Sequence, residues 1–148
     1  MITLRNFCKS DASNLKADGY SNLTVAETED LISEWNKKSL NDRYFEMFAI
    51  ISENDLIGTI SLYRHSSEVI SIGPEIFEKY RKKGFAKEAM LCACNIARKM
   101  GYKIVSQQIR TDNTASIALH SSLGFETNGL VYTNAKGNNV AIYLKSLV

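Results

Sequence analysis

A single proline in 148 residues leaves little to interrupt regular structure, and three cysteines cannot all pair with one another. Cys92-Ala93-Cys94 lacks the two-residue gap of a redox or zinc pair. Cys8, Cys92 and Cys94 therefore read as small apolar residues or free thiols in a reducing cytoplasm, and no metal is expected. No apolar run approaches the ~18 residues of a membrane span, and no signal-peptide pattern opens the sequence, so the expected location is cytoplasmic with no membrane partner. Charge of one sign is also scarce: Lys+Arg 18 against Asp+Glu 16 leaves +2, too small an excess for a nucleic-acid binder. Neither G-x-x-x-x-G-K-[ST] nor G-x-G-x-x-G occurs, which removes the Walker loop and the dinucleotide fingerprint. Repeats, linkers and low-complexity segments are absent. What remains is 45% hydrophobic and 23% charged, an ordinary composition for one globular domain over residues 1–148.

The stretch around which the chain is organised is Arg81-Lys82-Lys83-Gly84-Phe85-Ala86. A strand-like run, Val69 to Phe77, precedes it, and a helix-like run, Lys87 to Met100, follows. Strand, basic loop with glycine, helix is an anion site in physical terms. The first N–H groups of a helix have no intrahelical partner, and the helix dipole adds partial positive charge there. Gly84 allows close approach of a ligand to the backbone. Taken alone, the hexamer also fits a solvated basic turn capping a helix.

The remaining elements follow from pattern. Thr3–Phe7 reads as a strand, Ser10–Lys16 as a short helix and Asp18–Asn22 as a loop. Thr24-Val25-Ala26-Glu27 is a capping box that starts a helix with Leu31, Ile32 and Trp35 as its apolar stripe. Arg43–Ser52 and Leu56–Arg64 predict a hairpin turning at Glu53-Asn54-Asp55. Pro74 is expected to break a ladder bond or mark a bulge. The next helix places Phe85, Ala89, Ala93, Ile96, Ala97 and Met100 on its packing side. Lys103–Arg110 is a strand, Asn113 caps a helix ending at Gly124, and Phe125–Thr133 and Val140–Leu147 close the chain as strands. The order β-α-α-β-β-β-α-β-α-β-β predicts an α/β (α+β) fold, a mixed, mainly antiparallel sheet flanked by helices.

A second constellation lies about thirty residues after the loop, in Asn113-Thr114-Ala115-Ser116-Ile117-Ala118-Leu119-His120-Ser121-Ser122-Leu123-Gly124-Phe125. Asn113, Ser116 and His120 form one polar stripe on a helix. Arg81 to Ala86 resembles the R/Q-x-x-G-x-G/A loop of the GNAT superfamily of N-acetyltransferases, and the second stretch resembles its N-x-x-[AS]-x-x-[LF]-Y-x-x-x-G-F motif. The element order resembles the GNAT fold over essentially the whole chain. The resemblance implies acetyl-CoA as cosubstrate and a primary amine, on a small molecule or a protein N-terminus, as acceptor. It assigns the acetyl-CoA contacts to Glu75, Ile76, Phe77, Arg81, Lys82, Lys83, Gly84, Phe85, Ala86, Asn113 and Ser116. Lys103–Arg110 would form the other side of a splayed strand pair.

His120 stands where the family usually has a tyrosine acting as general acid toward the departing thiolate. A histidine, with a reference pKa of ~6.5, is a donor or acceptor near neutrality, or it packs beside the cosubstrate. Ser71 stands where many members have a glutamate base, which leaves Glu68 and Glu75 as nearby carboxylates and Glu68 as the candidate base. His65 reads as a surface turn residue. Tyr20, Trp35 and Tyr132 are candidates to line the acceptor site. A non-catalytic CoA-binding module is the alternative function, a nucleotide site unrelated to CoA is a third, and a homodimer is left open.

Overall fold

The chain opens with β1 (Ile2–Asn6), followed by a 3-10 turn at Lys9–Asp11 and the helix α1 (Ala12–Asp18) in the computed structural model, which describes residues 1–148. Asp11 fixes that entry. Its carboxylate accepts both terminal nitrogens of Arg5, at 2.8 and 2.9 Å, and the Cys8 N–H. The helix α2 (Val25–Trp35) starts on the capping box as expected: Thr24 Oγ1 accepts the Glu27 N–H and Glu27 Oε1 accepts the Thr24 N–H. Thr28, Ile32 and Trp35 are its buried residues, while Leu31 is half-buried.

A two-residue strand, β2 (Ser39–Leu40), precedes β3 (Arg43–Ser52) and pairs with it, an element the sequence pattern did not predict. β3 and β4 (Asp55–Arg64) form the predicted hairpin, with Glu53 and Asn54 both at positive φ, the backbone that a two-residue hairpin turn demands. β5 (Val69–Ile76) lies antiparallel to β4. The helix α3 (Phe85–Lys99) crosses to β6 (Ile104–Arg110), which runs parallel to β5. α4 (Thr114–Ser122), β7 (Tyr132–Thr133) and β8 (Asn139–Ser146) complete the chain. The sheet order is β1-β3-β4-β5-β6-β8-β7, and β5–β6 is its one parallel pair.

Two apolar layers sandwich the sheet. α3 packs Ala89, Met90, Ala93, Cys94 and Ala97 against Ile60, Leu62, Ile70, Ile72 and Val105. Small alanines bring that helix close to the strands. The second layer joins α1 and α2 to Phe7, Ala49, Leu56 and Phe77 on the other face. The packing side of α3 differs from the sequence reading: it includes Met90 and Cys94, which are buried, and Met100 past its end is exposed.

Two further expectations are corrected. Residues 125–131 make one bridge, Glu126 to Leu144, rather than a strand. Pro74 makes no bulge: its register with Ile60 is continuous, and the irregularity lies at Ile50/Ile51 instead. Strand parity explains why. The Phe77 N–H bonds to Ile57 of β4, whereas the Ile72 N–H points the other way, to Gln107. Even-numbered positions of β5 thus turn their backbone groups away from β4, and Pro74, with no N–H, removes nothing from the β4 ladder.

Candidate active site

β5 and β6 pair only at Val69–Ile104 and Ile70–Val105, after which the two strands diverge. β6 stays fully paired to β8 along its whole length, so the sheet opens on the β5 side. Two side chains clip the opening. Ser71 Oγ donates to the Ser106 carbonyl at 2.7 Å. Gln107, the residue opposite Ile72 in the same register, takes the place of a peptide: its Oε1 accepts the Ile72 N–H at 2.9 Å and its Nε2 donates to the Ile72 carbonyl at 2.5 Å. Beyond these clips a cavity of about 1200 Å³ runs from Ser61, Tyr63 and Ser71 past Pro74 and Ile76 to the start of α3 and the side of α4.

The basic loop forms the far end of that cavity. Gly84 is the N-cap of α3 at φ 82, with no atom within 4 Å of a Cβ built on it. The first helical bond is Glu88 N–H to Gly84 O, so the N–H groups of Phe85, Ala86 and Lys87 are left without helical acceptors. Lys82 also sits at positive φ, 64°, a conformation that costs a side chain about 1 kcal/mol. Arg81 Nε donates to the Ile76 carbonyl at 2.8 Å, which leaves the two terminal guanidinium nitrogens without protein partners. Free N–H groups, an open glycine and an unpartnered guanidinium fit a pyrophosphate.

Of the residues assigned from the sequence, Glu75, Ile76, Arg81, Lys82, Gly84, Phe85, Ala86, Asn113, Ser116 and His120 line this cavity. Their roles divide by parity. Ile76 turns its backbone into the cleft, whereas Glu75 faces β4 with its backbone and presents its side chain on the opposite sheet face. Asn113 caps α4, its Oδ1 accepting the Ser116 N–H at 3.0 Å. Phe77 is turned away: its side chain is buried in the α1–α2 layer and its N–H is bonded to Ile57. Lys83 does not line the cavity. Glu68 stands at the opposite end of β5, ion-paired to Lys103 in a separate depression. At ~3.3 Å per residue it lies roughly 20 Å of strand from Pro74 and outside the cavity that most of the other assigned residues line. Trp35 is core, packed on Phe7, and Tyr20 rests against it. Tyr132 is exposed on β7 and outside the cavity.

His120 is 3% exposed and its protons are placed by its neighbours. The Ile72 backbone fixes the Gln107 amide, so Nε2 of Gln107 faces Nε2 of His120 as donor, at 3.2 Å. His120 Nδ1 then donates to the Ser116 carbonyl at 2.8 Å. The ring is neutral, and burial pushes its pKa below the ordinary value, with the Ser116 carbonyl partly opposing. Such a ring is a poor proton donor at neutral pH.

The depressed pKa has a consequence for stability. The unfolded chain binds this proton at about pH 6.5 and the folded chain only lower. His120 stability is therefore whole above about pH 6.5 and is lost as pH falls toward the folded value. Melting temperature of the wild type should decline below about pH 6.5, and His120→Gln should flatten that decline; parallel slopes in both proteins would contradict a buried neutral ring.

Sequence reasoning missed Gln107, Tyr63, Ser61 and the partnership of Ser71 with His65. Gln107 carried one signal, a polar residue between Val105 and Ile109 at buried positions of a strand.

Known proteins bear on this geometry. The acetyltransferase (GNAT) domain family matches residues 2–126. The SPbeta prophage-derived uncharacterized N-acetyltransferase YokL of Bacillus subtilis (strain 168) is 32% identical over 99 residues, an alignment covering 65% of this chain and 56% of that protein. The uncharacterized N-acetyltransferase p20 of Bacillus licheniformis is 28% identical, with 99% of this chain and 92% of p20 covered. Among solved structures, RimL, a ribosomal L7/L12 α-N-protein acetyltransferase in complex with coenzyme A, superposes with a TM-score of 0.83 at 17% identity, over 98% of this chain and 93% of that one. The microcin C7 self-immunity acetyltransferase MccE, in complex with acetyl-CoA and AMP, gives 0.82 at 19% identity, over 98% and 92%. Split sheet, glycine-capped α3 and a family match over most of its length agree: the chain belongs to the GNAT acetyltransferase family.

Proposed function

We propose that the protein binds acetyl-CoA in the β5–β6 split and transfers its acetyl group directly to a primary amine. The observation that carries this reading is the continuity of the cleft, from the unpaired edge of β5 to the free N–H groups of α3. A diphosphate fits the α3 end, and the thioester then lies along β5 near Pro74. The acceptor enters over the opposite sheet face, where Ser61, Tyr63, Ser71, Gly73 and Glu75 line the opening. Positioning supplies the largest share of the acceleration, because a bound pair reacts as if intramolecular. Pro74 presents no N–H, and the Ile72 N–H is taken by Gln107, so the Ile76 N–H is the donor this edge of β5 offers a carbonyl.

Solved neighbours include acetyltransferases of protein N-termini, so N-terminal peptides belong beside small polyamines among the acceptors tested. Calorimetry with acetyl-CoA, ATP and NAD, followed by thiol release from acetyl-CoA over that panel, tests the reading. Binding of acetyl-CoA alone, with turnover on one class, is the expected result. Tight ATP or NAD binding without acetyl-CoA would overturn it, and acetyl-CoA binding without turnover would favour a regulatory CoA-binding module. Arg81→Ala should weaken acetyl-CoA about 10–100-fold and make the affinity less sensitive to salt, because one charge-assisted phosphate contact is gone. An unaltered salt slope would place the diphosphate elsewhere.

A further inference from the structure

Ser71 lines the acceptor side of the cleft, and its hydroxyl has partners on two strands. The Ser106 carbonyl of β6 lies 2.7 Å from Oγ, and Nε2 of His65, at the end of β4, lies 2.5 Å away. Ser71 carries one proton, so it donates to one of these at a time. The Ser106 carbonyl is an acceptor only. His65 is either donor or acceptor, according to its tautomer. Ser71 is therefore a branch point: resting, it donates to Ser106 and accepts from His65; switched, it donates to His65 and its own lone pair is free toward the cleft.

We propose that Ser71 and His65 form the proton exit for the acceptor amine. The inference rests on the transferase reading above. As the amine nitrogen bonds to the acetyl carbon and the C–S bond breaks, nitrogen must lose a proton. That proton passes through water in the cleft to Ser71 Oγ while the Ser71 hydroxyl proton moves to His65 Nε2. His65 becomes imidazolium and returns a proton to solvent, to which its exposed ring has access. No oxidant or further reactant enters, and the thiolate leaves with the electron pair of the C–S bond. Imidazole is the side chain suited to this task near neutral pH.

The surroundings of His65 support a carrier rather than a fixed ion pair. Its ring packs edge-on against Tyr63, the cross-strand partner of Ser71. From β3, Arg43 donates to the His65 carbonyl, not to the ring. Glu68, in the same turn, is engaged with Lys103. No carboxylate bonds the ring and holds it charged. Ser71 stands three residues from Pro74 where Glu68 stands six, and it lines the cleft itself, while the exposed His65 reaches water.

The test is the pH dependence of acetyl transfer to the best acceptor of the peptide and polyamine panel, from about pH 5.5 to about pH 9. His65→Gln should lower kcat at neutral pH by about 10²-fold, shift the acid limb of the profile, and leave acetyl-CoA affinity by calorimetry intact. Ser71→Ala should match it, and Ser71→Thr, which keeps the hydroxyl, should restore most of the rate. Superimposable profiles for wild type and His65→Gln overturn the relay. So does a Ser71→Thr as slow as Ser71→Ala, which would mean that the serine only packs. Should wild type bind acetyl-CoA yet acetylate nothing on the panel, the transferase reading fails on its own. Imidazole nitrogen-15 spectra then judge the pair: a His65 Nε2 signal unmoved by Ser71→Ala removes the hydrogen bond on which the relay depends.

Discussion

Under the proposed function, Gly84→Val should yield a folded protein that no longer holds acetyl-CoA. Gly84 holds φ 82 at the N-cap of α3, and a side chain there has open space around it, so nothing in the chain itself is displaced. The fold bears only the strain of a side chain in the left-handed region, about 1–2 kcal/mol, or a fall of a few degrees in melting temperature. The ligand bears the rest. In the proposed binding mode a diphosphate would reach the N–H groups of Phe85, Ala86 and Lys87 through this open space, and an isopropyl group would stand in it. Displacing two charge-assisted bonds weakens affinity at least ~10²-fold, about 2.8 kcal/mol. Gly101 supplies the control. It lies just past the other end of α3 at φ 97, also with nothing near its Cβ. Gly101→Val should cost a similar melting temperature and leave acetyl-CoA binding unchanged. Wild-type affinity in folded Gly84→Val would remove the diphosphate from this loop.

What the sequence shows of this site is what depends on local chemistry. The glycine before α3, the Asn113 cap and the Thr24–Glu27 capping box are each set by residues close in sequence, and each stands as expected. The β3–β4 hairpin was legible for the same reason. Residues 125–131 depart from the expectation because strand-forming residues at the two ends of a stretch (Phe125, Thr127, Leu130, Val131) gain a strand only where a partner is in register, and Asn128-Gly129 interrupts this one while β8 offers it a single bridge. Pro74 was misread because its effect depends on which way its nitrogen points, and that is fixed by pairing with β4 rather than by its neighbours in sequence. Glu68 looked close to the site in sequence; along an extended strand that separation carries it to the far end. His65 and Ser71 meet only because a hairpin returns β5 past the end of β4.

Gln107→Leu should cost substantial stability although it keeps the size of the side chain in the cleft wall. Leucine has similar length and packs among Val105 and Ile109, but it replaces neither the acceptor for the Ile72 N–H nor the donor for the Ile72 carbonyl. It also strips His120 Nε2 of its donor. Each buried orphan costs about 1–3 kcal/mol, and water entering from the adjacent cleft recovers part. A net loss of about 2–4 kcal/mol, or roughly 5–15 °C in melting temperature, follows. The split should also widen from Ile72 toward the thioester, so acetyl-CoA affinity falls along with stability. A double-mutant cycle separates the two consequences. His120→Phe fills the ring site beside Phe125 and has no nitrogen to orphan. If part of the Gln107→Leu cost is the stranded imidazole, Gln107→Leu combined with His120→Phe is more stable than the sum of the single changes by about 1 kcal/mol, while the affinity loss persists. Strict additivity would mean that the 3.2 Å contact carries no energy and that Gln107 acts on Ile72 alone.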